Sequence, residues 1–137
     1  MRGGYIHNEI LVGTLARDAR ALGWGTLLEA PVPVHDSVWF IDLVVTSHAV
    51  RVAVEAELSP GRVLRDVIKA EAFGAVALLV VTPTSRVAKQ CRRVLGRPDL
   101  PTWVLPLGRA RARLRHLLSQ ISRSNEEGNQ WSFAGTV

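Results

Sequence analysis

The stretch VWFIDLVVTSHAVRVAVEAEL, residues 38–58, decides the fold of this chain. It contains two runs rich in β-branched and aromatic residues, 38–45 and 50–58, which a short polar segment separates. This pattern is typical of two strands joined by a turn. Because side chains alternate along a strand, Glu55 and Glu57 point to the same face of the second strand. We therefore expect a hairpin with carboxylates on one face.

Asp42 interrupts the apolar run of the first strand, where an unpaired buried carboxylate would cost several kcal/mol. A loop of even length brings Asp42 to the face of Glu55. A two-residue loop is expected to set Asp42 opposite Ala53 and diagonal to Glu55, and a four-residue loop to set it opposite Glu55. A loop of odd length would separate the two carboxylates.

Carboxylates gathered in one patch repel each other and need a cation to remain ionised together. Their hard oxygen atoms suit Mg²⁺, which commonly binds one or two carboxylates together with waters and substrate phosphates. The hairpin therefore predicts a Mg²⁺ site. The alternative interpretation is that the glutamates line a solvated face and that Asp42 lies at a strand end.

The rest of the chain surrounds this hairpin with helices and strands in alternation. Prolines make the strand before the hairpin an edge strand, and the run after Gly74 is apolar enough to be buried on both faces. The order α-β-β-β-α-β-α-β-α predicts an α/β fold, with a mixed central sheet flanked by helices. We expect one domain over residues 1–121 and a flexible tail over 122–137. The predicted helices are 6–22, 60–72, 85–95 and 108–121, and the remaining strands are 26–34, 75–81 and 102–106.

Composition limits the class of protein. A length of 137 residues suits one domain, and 47% hydrophobic residues exclude a disordered chain. No apolar stretch reaches the roughly 18–20 residues of a membrane helix, and a single cysteine, Cys91, excludes a disulfide framework. Neither glycine-rich phosphate motif occurs, so no nucleotide cofactor is expected. We expect a cytoplasmic protein without membrane contact.

The charge of the chain favours a polyanionic partner. Seventeen basic residues, fifteen of them Arg, stand against twelve acidic ones and give a net charge of +5. Arginine suits phosphate, so DNA is the expected partner, although a general compositional bias would give the same balance. Eight residues of the last two predicted helices are candidates for contacts to backbone phosphates: Arg86, Lys89, Arg92, Arg93, Arg109, Arg111, Arg113 and Arg115.

Residues 6–95 resemble the PD-(D/E)xK nuclease superfamily, also called restriction-endonuclease-like. The resemblance rests on a first helix with Glu9, then Ile41-Asp42, then Glu-Ala-Glu at 55–57, followed by a helix and a buried strand. The usual motif has an Asp at a strand end or bend and Glu-x-Lys on the next strand. This chain departs from it twice, because Ile41 stands at the proline position and Glu57 at the lysine position.

The resemblance implies a Mg²⁺-dependent DNA endonuclease, with Mn²⁺ able to substitute, that forms a homodimer if it cuts both strands of a duplex. It implies that Asp42 and Glu55 hold the metal, with Glu57 and Glu9 as further ligands. Two alternatives stay open. One is a catalytically inactive module of this fold that binds nucleic acid or a partner protein. The other is a small α/β domain with carboxylates on its surface.

The role of the missing lysine has several candidates. Glu57 is one, as a base or metal ligand, and the following helix offers Lys69, Arg65 and Arg62 on its polar stripe. The rise of about 1.5 Å per helical residue, against about 3.3 Å per strand residue, places Arg62 or Arg65 nearer the level of Glu55 than Lys69. The opposite, apolar stripe of that helix is expected to be buried, and it consists of Val63, Leu64, Val67 and Ile68.

Overall fold

Helices and strands follow one another in the order that the sequence predicts. The computed structural model describes residues 2–127, and side chains from Asn8 to Glu126. The strands are β1 (Gly25–Val34), β2 (Ser37–Ser47), β3 (Val50–Ala56), β4 (Ala77–Thr82) and β5 (Thr102–Pro106). The helices are α1 (Arg2–Ala21), α2 (Val63–Phe73), α3 (Ser85–Leu95) and α4 (Leu107–Glu127), and a 3₁₀ turn (Pro60–Arg62) precedes α2.

The five strands form one mixed sheet in the order β1-β2-β3-β4-β5. Pairing is antiparallel from β1 to β3 and parallel from β3 to β5, with α2 and α3 as the crossovers. One apolar core lies between the sheet, α1 and α4, and the other lies between the sheet, α2 and α3. Every residue of β4 is buried, because helices cover both faces of this central parallel strand. The predicted α/β class with a mixed, two-sided sheet is confirmed.

The last helix is longer than predicted. It continues through residues 122–127, which were expected to belong to a flexible tail. Leu118 and Ile121 are fully buried in the core shared with α1, and this packing holds the final turns in place. The part of the expected tail from 128 to 137 lies outside the described residues.

A two-residue turn fixes the register of β2 and β3. His48 and Ala49 have φ values of 53° and 66°, and positive φ at both positions is typical of the type I′ turn that matches the twist of a hairpin. Leu43 pairs with Val54, so the register sets Asp42 opposite Glu55. This is the register expected for a four-residue loop. The expectation that a two-residue loop would place Asp42 opposite Ala53 is wrong, because β2 extends to Ser47 and the turn lies farther along the chain.

Strands β1 and β2 continue beyond the last pair between β2 and β3, Leu43–Val54, as a two-stranded arm, residues 29–42. At the base of the arm, the odd-numbered side chains of β2 change from one face of the sheet to the other. Leu43 belongs to the core on the α1 side of the sheet, whereas Ile41, two residues earlier, belongs to the core on the α2 side. Glu29, opposite Asp42 in this register, has a φ of 53°. At Glu29 and Asp42 the β1–β2 hairpin therefore turns over, which means that its two faces exchange sides of the sheet. This happens where β2 stops pairing with β3.

We predict that the turn between β2 and β3 stores strain that can be relieved. Replacing His48 by Asn and Ala49 by Gly should raise the free energy of unfolding by about 1–2 kcal/mol, because these residues tolerate positive φ. Urea unfolding followed by circular dichroism measures the change. The control is Ala112→Gly at an exposed position of α4, where glycine should cost about 1 kcal/mol. A double variant no more stable than the wild type would contradict the turn and the register that depends on it.

Candidate active site at the fork of the sheet

Strands β2 and β3 separate at Asp42 and Glu55, and we call this opening of the sheet the fork. Beyond the Leu43–Val54 pair, each carboxylate accepts a hydrogen bond from the main chain of the opposite strand. The N–H of Asp42 donates to Oε1 of Glu55 at 3.1 Å, and the N–H of Ala56 donates to Oδ2 of Asp42 at 2.8 Å. The two carboxylates thereby satisfy N–H groups that the separating strands would otherwise leave without partners. The predicted convergence of Asp42 and Glu55 is confirmed.

Lys69 of α2 contacts Glu55 of this pair. Its Nζ lies 2.7 Å from Oε2 of Glu55, and it also donates to the carbonyl oxygen of Phe40 at 2.7 Å. Oδ1 of Asp66 lies 3.6 Å from the same ammonium. The Glu55 side chain is 1% exposed and that of Lys69 is 14% exposed. A buried ion pair with further hydrogen bonds is held in one geometry, so Lys69 ties α2 to both strands of the fork.

The expectation that Arg62 or Arg65 would lie nearest the level of Glu55 is wrong. The guanidinium of Arg65 lies 4.3 Å from the ring centroid of Trp39, and Arg62 is exposed at the N-cap of α2. A helix that packed directly along β3 would have given the predicted order. The 3₁₀ turn displaces the start of α2, which contacts β1, β2 and β4, so a residue two turns into the helix meets Glu55.

Asp66 is a residue of the cleft that the sequence analysis did not identify. Its side chain is 2% exposed and lines the cleft beside Glu57 and Lys69. The apolar stripe proposed for α2 is partly wrong, because Leu64 and Ile68 are 54% and 45% exposed. The fully buried positions of the helix are Val63, Asp66 and Ala70. A helical wheel centred on the small residue Ala70 gives this face and would have identified Asp66.

Three carboxyl groups, those of Glu55, Asp66 and Asp42, influence the ammonium of Lys69. Burial and the neighbouring Asp42 raise the pKa of Glu55 to about 8, against the opposing effect of Lys69. Burial and the neighbouring carboxyl groups of Glu57 and Glu55 raise the pKa of Asp66 to about 11. Burial lowers the pKa of Lys69, but Glu55, Asp66 and Asp42 together raise it above its usual value. Glu55 and Asp66 therefore keep their protons to a higher pH than exposed carboxyl groups do.

The converging groups line a cleft of about 340 Å³. The arm and α2 form its two walls, and it brings together six of the predicted site residues: Asp42, Glu55, Glu57, Arg62, Arg65 and Lys69. A neighbouring cavity of about 330 Å³ lies between α1 and β1 and shares Asp42 and Asn8 with the cleft. Glu9 lines this neighbouring cavity, so the structure places it beside Asp42 but on the other side from Glu55 and Glu57.

The oxygen atoms at the fork suit a hard divalent cation. Between Asn8 and Glu126, no group of three or more His, Cys, Asp and Glu side chains has the arrangement of a metal site. Mg²⁺, however, commonly uses one or two carboxylates and completes its shell with waters and phosphates. Asp42 and Glu55 supply such a pair, and within the described part of the chain Oδ1 of Asp42 receives no hydrogen bond. The donor set therefore fits Mg²⁺.

The eight basic residues expected to contact nucleic acid lie on both sides of the sheet, with α3 on one face and α4 on the other. Three of them have structural partners. Arg92 donates to the carbonyl of Val104 at 2.6 Å, Arg111 forms two hydrogen bonds to Asp18 at 2.8 and 3.1 Å, and the guanidinium of Arg113 lies 5.5 Å from the ring centroid of Trp103. The remaining five are exposed: Arg86, Lys89, Arg93, Arg109 and Arg115.

We predict that the protein without divalent cations becomes more stable as the pH falls from 8 to 5. Glu55 and Asp66 keep protons in the folded state that they release on unfolding, so folding takes up protons in this window. Their contribution is complete below the unfolded pKa values and is lost as the pH rises through the folded ones. Thermal melting in EDTA across this range measures the effect, and Glu55→Gln should flatten it. A melting temperature that rises with pH would contradict the assignment.

Comparisons with known proteins give no family. No family model matches the chain, and no curated protein matches it. Among solved structures, the chain is similar to the crystal structure of AF1548, a protein of unknown function, with a TM-score of 0.49 and 18% sequence identity over 69% of this chain. The chain spans 54% of the length of that protein. None of the helices in the described residues is long and apolar enough to cross a membrane.

Proposed function

We propose that this chain is a Mg²⁺-dependent endonuclease of restriction-endonuclease-like fold that hydrolyses phosphodiester bonds in DNA. The supporting observation is the fork itself. Asp42 and Glu55 converge there, and the ammonium of Lys69 lies 2.7 Å from Glu55. The resemblance to the PD-(D/E)xK nucleases calls for two carboxylates and one lysine, and this chain offers that lysine from α2 in place of the strand position occupied by Glu57.

Asp42 and Glu55 are the residues that would hold the metal. When bound, Mg²⁺ neutralises charge on a phosphate and lowers the pKa of a bound water. Hydrogen bonds from the main chain of the opposite strand orient both carboxylates before a substrate arrives. Such preorganisation removes a reorganisation cost that would otherwise add to the barrier.

In the proposed reaction Lys69 would stabilise the negative charge of the phosphate, and Glu57 would accept the proton. The ammonium of Lys69 is held by Glu55 and by the carbonyl of Phe40, and its nitrogen lines the cleft as a donor for a phosphate oxygen. Glu57 is half-buried and lines the cleft with Asp66, whose pKa burial and the neighbouring carboxyl groups raise. In the proposed reaction a carboxylate oxygen of Glu57 would take up the proton of the attacking water. Arg62 and Arg65 are exposed on the same wall and can bind flanking phosphates.

The alternative is a catalytically inactive module of the same fold. Its main support in the sequence is the absence of a lysine at the motif position, where Glu57 stands. The contact between Lys69 and Glu55 weakens that support, because an ammonium reaches the carboxylate from another element. We therefore favour an active enzyme, and the measurements below separate the two.

We predict that Asp42→Asn lowers the rate of supercoiled-plasmid nicking in Mg²⁺ by about 10²–10⁴. Asparagine keeps an oxygen that can accept from the N–H of Ala56 but removes the charge that a divalent cation needs. The matched control is Asp36→Asn, at the exposed tip of the arm, which should nick like the wild type. An Asp42→Asn preparation as active as the wild type would refute the assignment of the metal ligands.

We also predict that Lys69 matters more than its neighbours on α2. Lys69→Met should reduce nicking by at least about 10²-fold, because the cleft loses its buried donor. Arg65→Met, which gives up the contact with Trp39 and an exposed donor for a flanking phosphate, should cost less than tenfold by comparison with this roughly 10²-fold loss. Circular dichroism checks that both variants are folded. An inactive wild type would favour the inactive module, and an unaffected Lys69→Met would return the role to Glu57 or an arginine.

A further inference from the structure

The arm, residues 29–42, has an uncovered apolar face beside the cleft. On this face Pro31 pairs directly with Phe40, and Pro33 pairs with Val38. All four residues are exposed, Phe40 by 52% and Val38 by 59%. The opposite face of the arm packs on α2 and is buried through Ala30, Val32 and Ile41. The turnover of the hairpin at Asp42 therefore leaves one face of the arm without a partner inside the described part of the chain.

This face is contiguous with the cleft. Val38 and Phe40 line the cleft together with Asp42 and Glu55, and Arg62 and Arg65 of α2 line the same cleft. Single exposed apolar residues are ordinary, but several in contact mark a surface that binds something. A ligand that extends from the arm face into the cleft would meet apolar, partly aromatic side chains and then the positive charges of Arg62 and Arg65. The occupant must therefore carry both an apolar face and negative charge.

Resting on the proposed endonuclease, we infer that the arm face binds unpaired bases of the DNA strand whose phosphates enter the cleft. A single strand offers both exposed base faces and phosphates, which matches the apolar arm face and the positively charged cleft beside it. Bases stack on aromatic side chains such as Phe40 with little dependence on sequence. In an intact duplex the base faces are covered by their neighbours, and only base edges are accessible in the grooves. The substrate class is therefore single-stranded, splayed or branched DNA.

A strand from another polypeptide is a poorer occupant of the arm. Pro31 and Pro33 lie in the edge strand β1 and have no N–H, so they cannot donate to an added β-strand. Arg62 and Arg65, which line the same cleft, favour a polyanion over a neutral apolar surface. The arm thus suits a nucleic acid strand lying on its face.

The test compares binding of three fluorescein-labelled DNAs of one sequence: a single strand, a splayed fork and a fully paired duplex. Fluorescence anisotropy is measured at one salt concentration with Ca²⁺ in place of Mg²⁺. The wild type should prefer the single strand and the fork. Phe40→Ala should weaken these two by about 5- to 100-fold, the range of one base–aromatic stack, and leave duplex affinity unchanged. Phe40→Trp should retain the preference, and Leu22→Ala, 48% exposed at the end of α1, is the matched control.

Two results would overturn the inference. One is a Phe40→Ala variant that binds all three DNAs like the wild type or weakens them equally. The other is a wild type that sediments as a dimer while Phe40→Ala sediments as a monomer, because a second copy would then cover the arm. Plasmid nicking on the same preparations separates this inference from the proposed activity. Preference for unpaired DNA without cleavage overturns only the endonuclease, and cleavage without that preference overturns only the inference about the arm.

Discussion

Two carboxylates that accept hydrogen bonds across the gap between β2 and β3 determine how the rest of this protein is arranged. Where the main-chain ladder ends, the side chains of Asp42 and Glu55 bind the N–H groups of the opposite strand. The strands can therefore separate without leaving buried N–H groups unsatisfied. The separation creates the cleft, frees the arm and gives Lys69 a place to enter from α2. The same atoms thus shape the fold and supply the chemistry proposed for it.

This arrangement is electrostatically unfavourable, because it buries carboxyl groups. Glu55 and Asp66 are almost fully buried, and the carboxylates around them outnumber the one ammonium within reach. Taking such groups out of water is unfavourable unless they are paired or protonated. A bound cation would offset this cost, in agreement with the metal site proposed above. The strained φ of Glu29, directly opposite Asp42, adds a second local cost at the same place.

The sequence predicted the parts of the structure that depend on local pattern. The hairpin, the buried strand β4 and the convergence of Asp42 and Glu55 follow from alternation and from an even loop. Features that depend on how elements pack could not be predicted in the same way. The choice of Lys69 over its neighbours required the displacement of α2 by the 3₁₀ turn, and the burial of Asp66 required the angle at which that helix meets the sheet. The turnover of the arm depends on a positive φ at Glu29, a residue with no such tendency.

The connectivity of the sheet also sets the order in which the site can assemble. Two-residue turns join β1 to β2 and β2 to β3, so the contacts of this meander are local in sequence. The parallel strands need helical crossovers, and contacts of that kind form more slowly because longer loops must close first. The acidic half of the fork therefore belongs to the local, fast-forming part of the chain. Its counter-ion, Lys69, lies on the first crossover. The bond from Lys69 to the carbonyl of Phe40, 29 residues away, closes a longer loop than the 13 residues between Asp42 and Glu55, so the site is complete only after this loop has closed.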